Sequence, residues 1–320
     1  MPARPPSTHL VGSFFLLKNT LASPTSTAGE KLRRLASALA KHRPLLSRAD
    51  QLIFLCGANH DNAPSARRKA VKDFIESRAE TNRVVYAEGV FSELAKIGNK
   101  GNVLDLEHEI SEIADKIIII LESESAFCEL GAFAHPALRK KLIVINDAKF
   151  KQSGSFINTG PLAALRESKA PVLWYPMAPD GDRWPDAVGS IFRELEEAVY
   201  VHPFRRSERV EADLDSLETN KHSLYLVHDL VLLTGPASYQ DLIDCLVCMY
   251  GKRSFDRLRK LLGILKAANL VDSSLLGGEW VFSTRSPAPY LHYTGVDASS
   301  IAATFRSYHL KLHSARFQHV

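Results

Sequence analysis

Three glutamates crowd the stretch LESESAFCELGAFAH, residues 121–135, directly after four consecutive isoleucines, Ile117 to Ile120. An unbroken β-branched run reads as a buried strand, and acids that follow such a strand stand where a sheet delivers side chains to a pocket. If a helix starts near Ser125, Glu129 lies one turn inside it, among Phe127, Cys128, Leu130, Gly131 and Ala132. A carboxyl so placed is poorly solvated, and burial raises its pKa, the condition that general acids and carboxylate nucleophiles exploit. Glu122 and Glu124 read by comparison as solvated loop acids.

A second candidate follows the apolar run LIFLC, residues 52–56. Gly57 leads through ANHDNAP to Ser65, a helix-capping residue type, with Arg67 and Arg68 in the first turn. A glycine after a strand, with free amides at a helix start, makes an anion or ribose-phosphate cradle. Without a G-x-G-x-x-G or Walker sequence, the pattern alone names no ligand. Two cations at a helix N-terminus oppose its dipole, so Arg67 and Arg68 point to a bound anion, to an acidic neighbour, or to plain solvent exposure.

Such residues need a scaffold that gathers strand ends. Short, uniformly apolar runs at 52–56, 84–86, 116–121, 141–145 and 171–175 alternate with helical patterns, including 65–77, 105–115 and one from about Ala126. Strands that are apolar on both faces belong to a sheet covered on both sides. The expectation is a doubly wound α/β domain of about five parallel strands, with ligands beyond their carboxyl ends. The suspicious segments CGANHDNAPSARR, AEGVF, ESESAFCELG and NDAKF all follow strands.

Beyond the charged stretch VHPFRRSERVEADLDSLETN, helical patterns at 222–234, 238–249 and 254–268 precede NLVDSS, a turn at Gly277 and Gly278, and the strand EWVFST. Three helices and a two-stranded wing predict a winged helix-turn-helix. Its third helix would present Arg253, Arg257, Arg259 and Lys260 to phosphates or base edges, although many winged helices bind protein instead. Residues 251–320 carry ten Lys and Arg against four Asp and Glu, while the whole chain is only +4. That asymmetry fits either a polyanion partner or a solvated basic face.

At the other end, Leu32, Leu35, Ala36 and Leu39 mark an amphipathic helix over 29–42, set to lie against the body or a partner. The residues before it mimic a secretory leader only faintly and read better as a flexible or partner-docked arm. No apolar stretch approaches the ~20 residues that a membrane helix needs. Four cysteines are too few for a disulfide framework and fit a reducing cytoplasm. Cys245 and Cys248, spaced C-x-x-C among Leu242, Ile243, Leu246 and Val247, read as helix core, and no metal site is expected. The parts are then an arm with its helix (1–47), the α/β domain (48–205) and a winged-helix-like domain (206–320).

The segment ESESAFCELGAFA resembles the nucleoside 2-deoxyribosyltransferase-like proteins, particularly the effector subunits of bacterial retrons. The segments IFLCG, AEGVFSEL, LEHEISEIADKIIIILES and NDAKFKQSGSFINTGPL look like parts of those effectors in the same order. The resemblance implies a flavodoxin-like sheet in which Glu129 attacks the anomeric carbon of a nucleoside or stabilises its oxocarbenium ion. It implies substrate contacts at Glu88 and Asn158, and Cys56, Gly57, Ser123 and Ser125, at the ends of the strands beside them, are expected to contact the substrate as well. NAD or a related nucleotide would be the substrate, with no cofactor, and the partners would be a retron reverse transcriptase with its multicopy single-stranded DNA, in a higher-order assembly. Removal of a base from a nucleoside, ribosyl, deoxyribosyl or ADP-ribosyl transfer to a nucleoside or nucleic acid, and a non-catalytic nucleotide sensor or scaffold stay open. The chain departs from its relatives at Glu124, Ser125 and Ala126, where they carry Pro-Gly-Ser, and at Ser123, where true deoxyribosyltransferases place an Asp.

Overall fold

A computed structural model describes residues 17–61, 63–96, 102–181, 183–200, 210, 214–251 and 254–317. Five parallel strands, β1 (Gln51–Cys56), β2 (Asn82–Val85), β3 (Lys116–Ile120), β4 (Leu142–Asp147) and β5 (Val172–Tyr175), pair in the order β2-β1-β3-β4-β5. This is the doubly wound order of flavodoxin-like sheets, with its switch point between β1 and β3. Phe54 lies opposite Ile117 and Cys56 opposite Ile119 in that central pairing.

The uniformly apolar strands are explained by two separate cores. Ile53, Leu55, Ile118, Ile120, Ile143 and Ile145 face one side and pack on Val71 and Ile75 of α3 (Ala66–Arg78) and on Leu195 and Val199 of α9 (Phe192–Val199). The alternate residues, among them Phe54, Cys56, Ile117, Ile119 and Val144, face the other way. That side is covered by α4 (Ala87–Lys96), α5 (Val103–Ile113), α6 (Glu124–Phe133) and α8 (Pro161–Glu167), the last preceded by the short α7 (Phe156–Thr159). Side chains alternate across a pleated strand, so a sheet wrapped on both faces demands apolar residues at every position.

The second core runs on without a break into the rest of the chain. There α10 (Lys221–Thr234), β6 (Ala237–Ser238), α11 (Tyr239–Tyr250), α12 (Arg257–Ala267), β7 (Val271–Leu276) and β8 (Glu279–Thr284) follow in sequence. The three strands form an antiparallel sheet in the order β7-β8-β6. Gly277 and Gly278 turn the β7–β8 hairpin with φ of +59° and +88°, as a tight primed turn requires. Ser238 and Asp241 close a capping box at the start of α11. The two-residue strand β6 and the closing helix α13 (Ala298–Leu312) were not anticipated from sequence; two residues are too few to carry a period.

The amphipathic helix near the N-terminus is α2 (Thr27–Lys41), preceded by α1 (Leu17–Ala22). Its apolar stripe of Leu32 and Leu35 is fully covered, because α1 and α2 pack on α11 and α13. Lys31 Nζ fixes this docking by donating to the Ser300 carbonyl at 2.9 Å and to the hydroxyls of Ser300 and Thr304 at 2.7 and 2.6 Å. Cys245 is buried in α11, and the Cys248 thiol donates to the Gly29 carbonyl at 3.7 Å. Among the described residues, no helix is long and apolar enough to cross a membrane, and no group of His, Cys, Asp and Glu could hold a metal ion.

Candidate active site

The carboxyl end of β1 delivers Cys56 and Gly57, and that of β3 leads through Leu121 and Glu122 into α6. Ser123 caps α6 by accepting from the Ala126 amide at 3.3 Å, so the helix begins at Glu124 and Glu129 stands one turn in. Between these two strand ends lies a cavity of about 250 Å³. Cys56, Gly57, Glu88, Ser125 and Glu129 all line it, together with Asn59, Arg68, Phe91 and Glu107. It occupies the switch point of the sheet, where a doubly wound fold leaves room for a ligand.

The acids around this cavity differ in their partners. Glu129 has a buried Oε2 without a hydrogen-bond partner, and its pKa is pushed up to about 7. Burial is the main cause, the charge of Glu107 the next; Glu88 adds to it, while Arg68 and a hydrogen bond from the Cys56 thiol oppose it. Glu107, from α5, is itself raised by burial and by the charge of Glu88. Glu88, in the first turn of α4, goes the other way: burial would raise it, but the hydrogen bond and charge of Arg68 overcome that and hold it low. The Cys56 thiol is raised well above its ordinary range by burial and then by Glu129, so it is a protonated hydrogen-bond donor and no nucleophile.

Arg67 and Arg68 have acidic neighbours. Arg68 is 2% exposed and donates to Glu88 at 2.5 Å, to Asn59 Oδ1 at 2.6 Å and to the Leu55 carbonyl at 2.9 Å, with its guanidinium 4.5 Å from the Tyr86 ring centre. Arg67, also buried, bridges Glu122 at 3.1 Å and Asp186 at 2.8 Å. Glu122 corrects the reading of a solvated loop acid. Its side chain is 1% exposed and also accepts from the Ser65 hydroxyl at 2.6 Å and the Ala58 amide at 3.0 Å. Glu124 is exposed as expected. Gly57 serves this packing: a Cβ there would sit 2.8 Å from Glu122 Oε1 and 3.0 Å from Arg68 Cδ.

Two expected contacts lie elsewhere. Asn158 is buried in the short helix α7, donating to the carbonyls of Phe150 and Ser153 at 2.7 Å each, and does not line the cavity. Ser123 is occupied as the cap of α6. Glu107 and Phe91 were missed. The only sequence signal for Glu107 was its position beside the buried stripe of Leu106, Ile110 and Ile113, which several acids of α5 share.

Of the four cations assigned to nucleic acid, Arg253 lies outside the described residues. Lys260 is held by Glu109 of α5 at 2.6 Å, and Arg259 sits 4.8 Å from the Tyr239 ring centre. Arg257 is exposed. The helix that carries them, α12, packs along α4.

Residues 64–273 match the family described as STM3845 retron effector protein. The chain belongs to this retron effector family. The effector is 34% identical over 274 residues to an Escherichia coli protein named "Retron Ec73 putative ribosyltransferase/DNA-binding protein", an alignment that covers 82% of this chain and 85% of the relative. A second Escherichia coli relative, "Retron Ec86 putative ribosyltransferase/DNA-binding protein", is 40% identical over 116 residues, covering 36% of the effector and 37% of the relative. The family match includes Arg68, Glu88, Phe91, Glu107, Ser125 and Glu129 of the effector's cavity.

Proposed function

We propose that this retron effector breaks an N-glycosidic bond, that of NAD or a related nucleotide, with Glu129 as the carboxylate that attacks C1′ or stabilises the oxocarbenium ion there. The observation that carries the reading is Glu129 itself, a half-buried residue whose Oε2 is buried and unpartnered at the sheet's switch point. The charge of the site supports the choice of NAD. Among the described residues that line it, Glu88, Glu107 and Glu129 face one cation, Arg68, which is already engaged by Glu88, so the cavity favours a group that carries or develops positive charge. Nicotinamide bonded to C1′ is such a group and leaves neutral without a proton donor. Phe91, which is partly exposed, offers a ring face for it. Transfer of the ribosyl group to another acceptor is the second reading, favoured by the word ribosyltransferase in the names of both relatives.

The helices and antiparallel sheet from α10 to β8 support a winged-helix reading, and the relatives' names include DNA binding. The effector would then be controlled by a complex of reverse transcriptase and multicopy single-stranded DNA. The test of the chemistry is chromatographic: wild type incubated with NAD should release free nicotinamide, and Glu129→Gln, which keeps the shape but not the charge, should release none. Nucleobase released from nucleosides with NAD untouched would sink the substrate assignment.

A further inference from the structure

We propose that Glu107 is the general base that delivers water to the sugar in the second half of the reaction, so that the site works as a hydrolase. The inference rests on the reading of Glu129 as the attacking carboxylate. Among the described residues, four glutamates surround or back the cavity, and two are spent. Glu88 is ion-paired to Arg68, and Glu122 is locked by Arg67, Ser65 and the Ala58 amide. Glu107 and Glu129 both face the cavity. Glu107 has no hydrogen bond or ion pair among the described residues, and it comes from a different helix, α5, so it can approach the sugar from a different side.

The steps balance. Glu129 bonds to C1′ as the C1′–N bond breaks, and the bonding pair leaves with the nicotinamide nitrogen. A water oxygen then bonds to C1′ while its proton passes to Glu107. The C1′–O bond to Glu129 breaks, Glu129 returns as a carboxylate, and the proton on Glu107 is lost to solvent. Burial makes Glu107 a stronger base than an ordinary carboxylate, as proton removal from water requires.

The experiment uses the purified full-length effector, NAD and rapid quenching. Glu107→Gln should release nicotinamide in a first-turnover burst close to one per site, and then turn over roughly 10²- to 10⁴-fold more slowly than wild type, the usual range for loss of a general base. Azide, a nucleophile that needs no base, should restore turnover of Glu107→Gln with formation of a glycosyl azide and leave Glu129→Gln inactive. Glu107→Asp, which keeps a base, should retain more turnover than Glu107→Gln. Wild-type turnover in Glu107→Gln would overturn the proposal. So would simultaneous loss of burst and turnover in a variant whose melting temperature is unchanged, or a wild type that transfers to added nucleosides in preference to water. If Glu129→Gln is dead and Glu107→Gln is normal, only the role of Glu107 falls. If the wild type cleaves neither NAD nor nucleosides, the reading of the site falls as a whole.

Discussion

At neutral pH, Glu129 is held about half protonated by its own surroundings, because burial and the charge of Glu107 bring its pKa to about 7. In the proposed reaction the attacking form is the carboxylate, which is gained as pH rises. First-turnover release of nicotinamide should therefore climb through pH 7 and level off above about pH 8, where a normal glutamate would already be flat at pH 6. Glu107→Gln removes the second-largest cause of the shift and should move that midpoint to lower pH; an unchanged midpoint would show that the two acids do not interact. The glutamates after β3 separate in the same way by stability. Glu122→Ala leaves a 4%-exposed Arg67 with one acidic partner and strips the acceptor from Ser65 and Ala58, a loss of about 3 kcal/mol or more by chemical denaturation. Glu124→Ala, exposed in the first turn of α6, should cost under about 1 kcal/mol. Sequence placed Glu129 correctly within its helix because a strand and a helix start bracket it. It could not separate Glu122 from Glu124, because the partners that bury Glu122 are 55 and 64 positions away.

Two helices of the site, α4 and α5, also touch α12. The first turn of α4 carries Glu88, and its opposite side packs Val90 and Leu94 against Gly263 of α12. Likewise α5 carries Glu107 toward the cavity and Glu109 toward Lys260. A glycine inside a helix costs about 1 kcal/mol relative to alanine. Gly263 is explained by closeness, since a Cβ there would already lie 3.1 Å from the Leu94 side chain. Gly263→Leu keeps good helix propensity but forces α12 from α4. It should destabilise by about 1–3 kcal/mol and lower NAD turnover by displacing Glu88, with Gly263→Ala much closer to wild type. Melting temperature and kcat measured on both variants check this, and a Gly263→Leu enzyme with normal kcat would show that α12 does not position the site. The α12 helix was legible from its period, and so was the apolar face it must bury. What covers that face was not, because the pairing is set by shape between segments about 170 residues apart, and no helix was expected over α4, only the segment AEGVF after a strand.

Across the whole molecule, the charge asymmetry visible in the composition takes on a different meaning once the partners are known. Of the basic residues beyond position 250, Lys260, Lys266, Arg285 and Arg316 are ion-paired to acids of this chain, while Arg257, Arg306 and Lys311 are exposed. Much of the apparent polyanion surface therefore fastens the molecule to itself. The fastening runs throughout. Leu45–Leu46 pairs with Leu291–His292, the Tyr225 hydroxyl accepts from the Asp50 amide at 3.0 Å, Lys221 meets Asp115 at 2.6 Å, and one apolar core reaches from Leu17 past β1 to Phe305. Parts that share a core and exchange buried hydrogen bonds lose stability together when any one is removed. The α/β sheet and the C-terminal helices should accordingly unfold as one unit, with a single calorimetric transition whose calorimetric and van't Hoff enthalpies agree. A nucleotide that binds the cavity should raise that one transition as a whole, since it stabilises only the native state. Two resolved transitions, with ligand shifting the first alone, would mean that the helices beyond residue 220 fold independently of the sheet and that the contacts of α12 carry no message to the site.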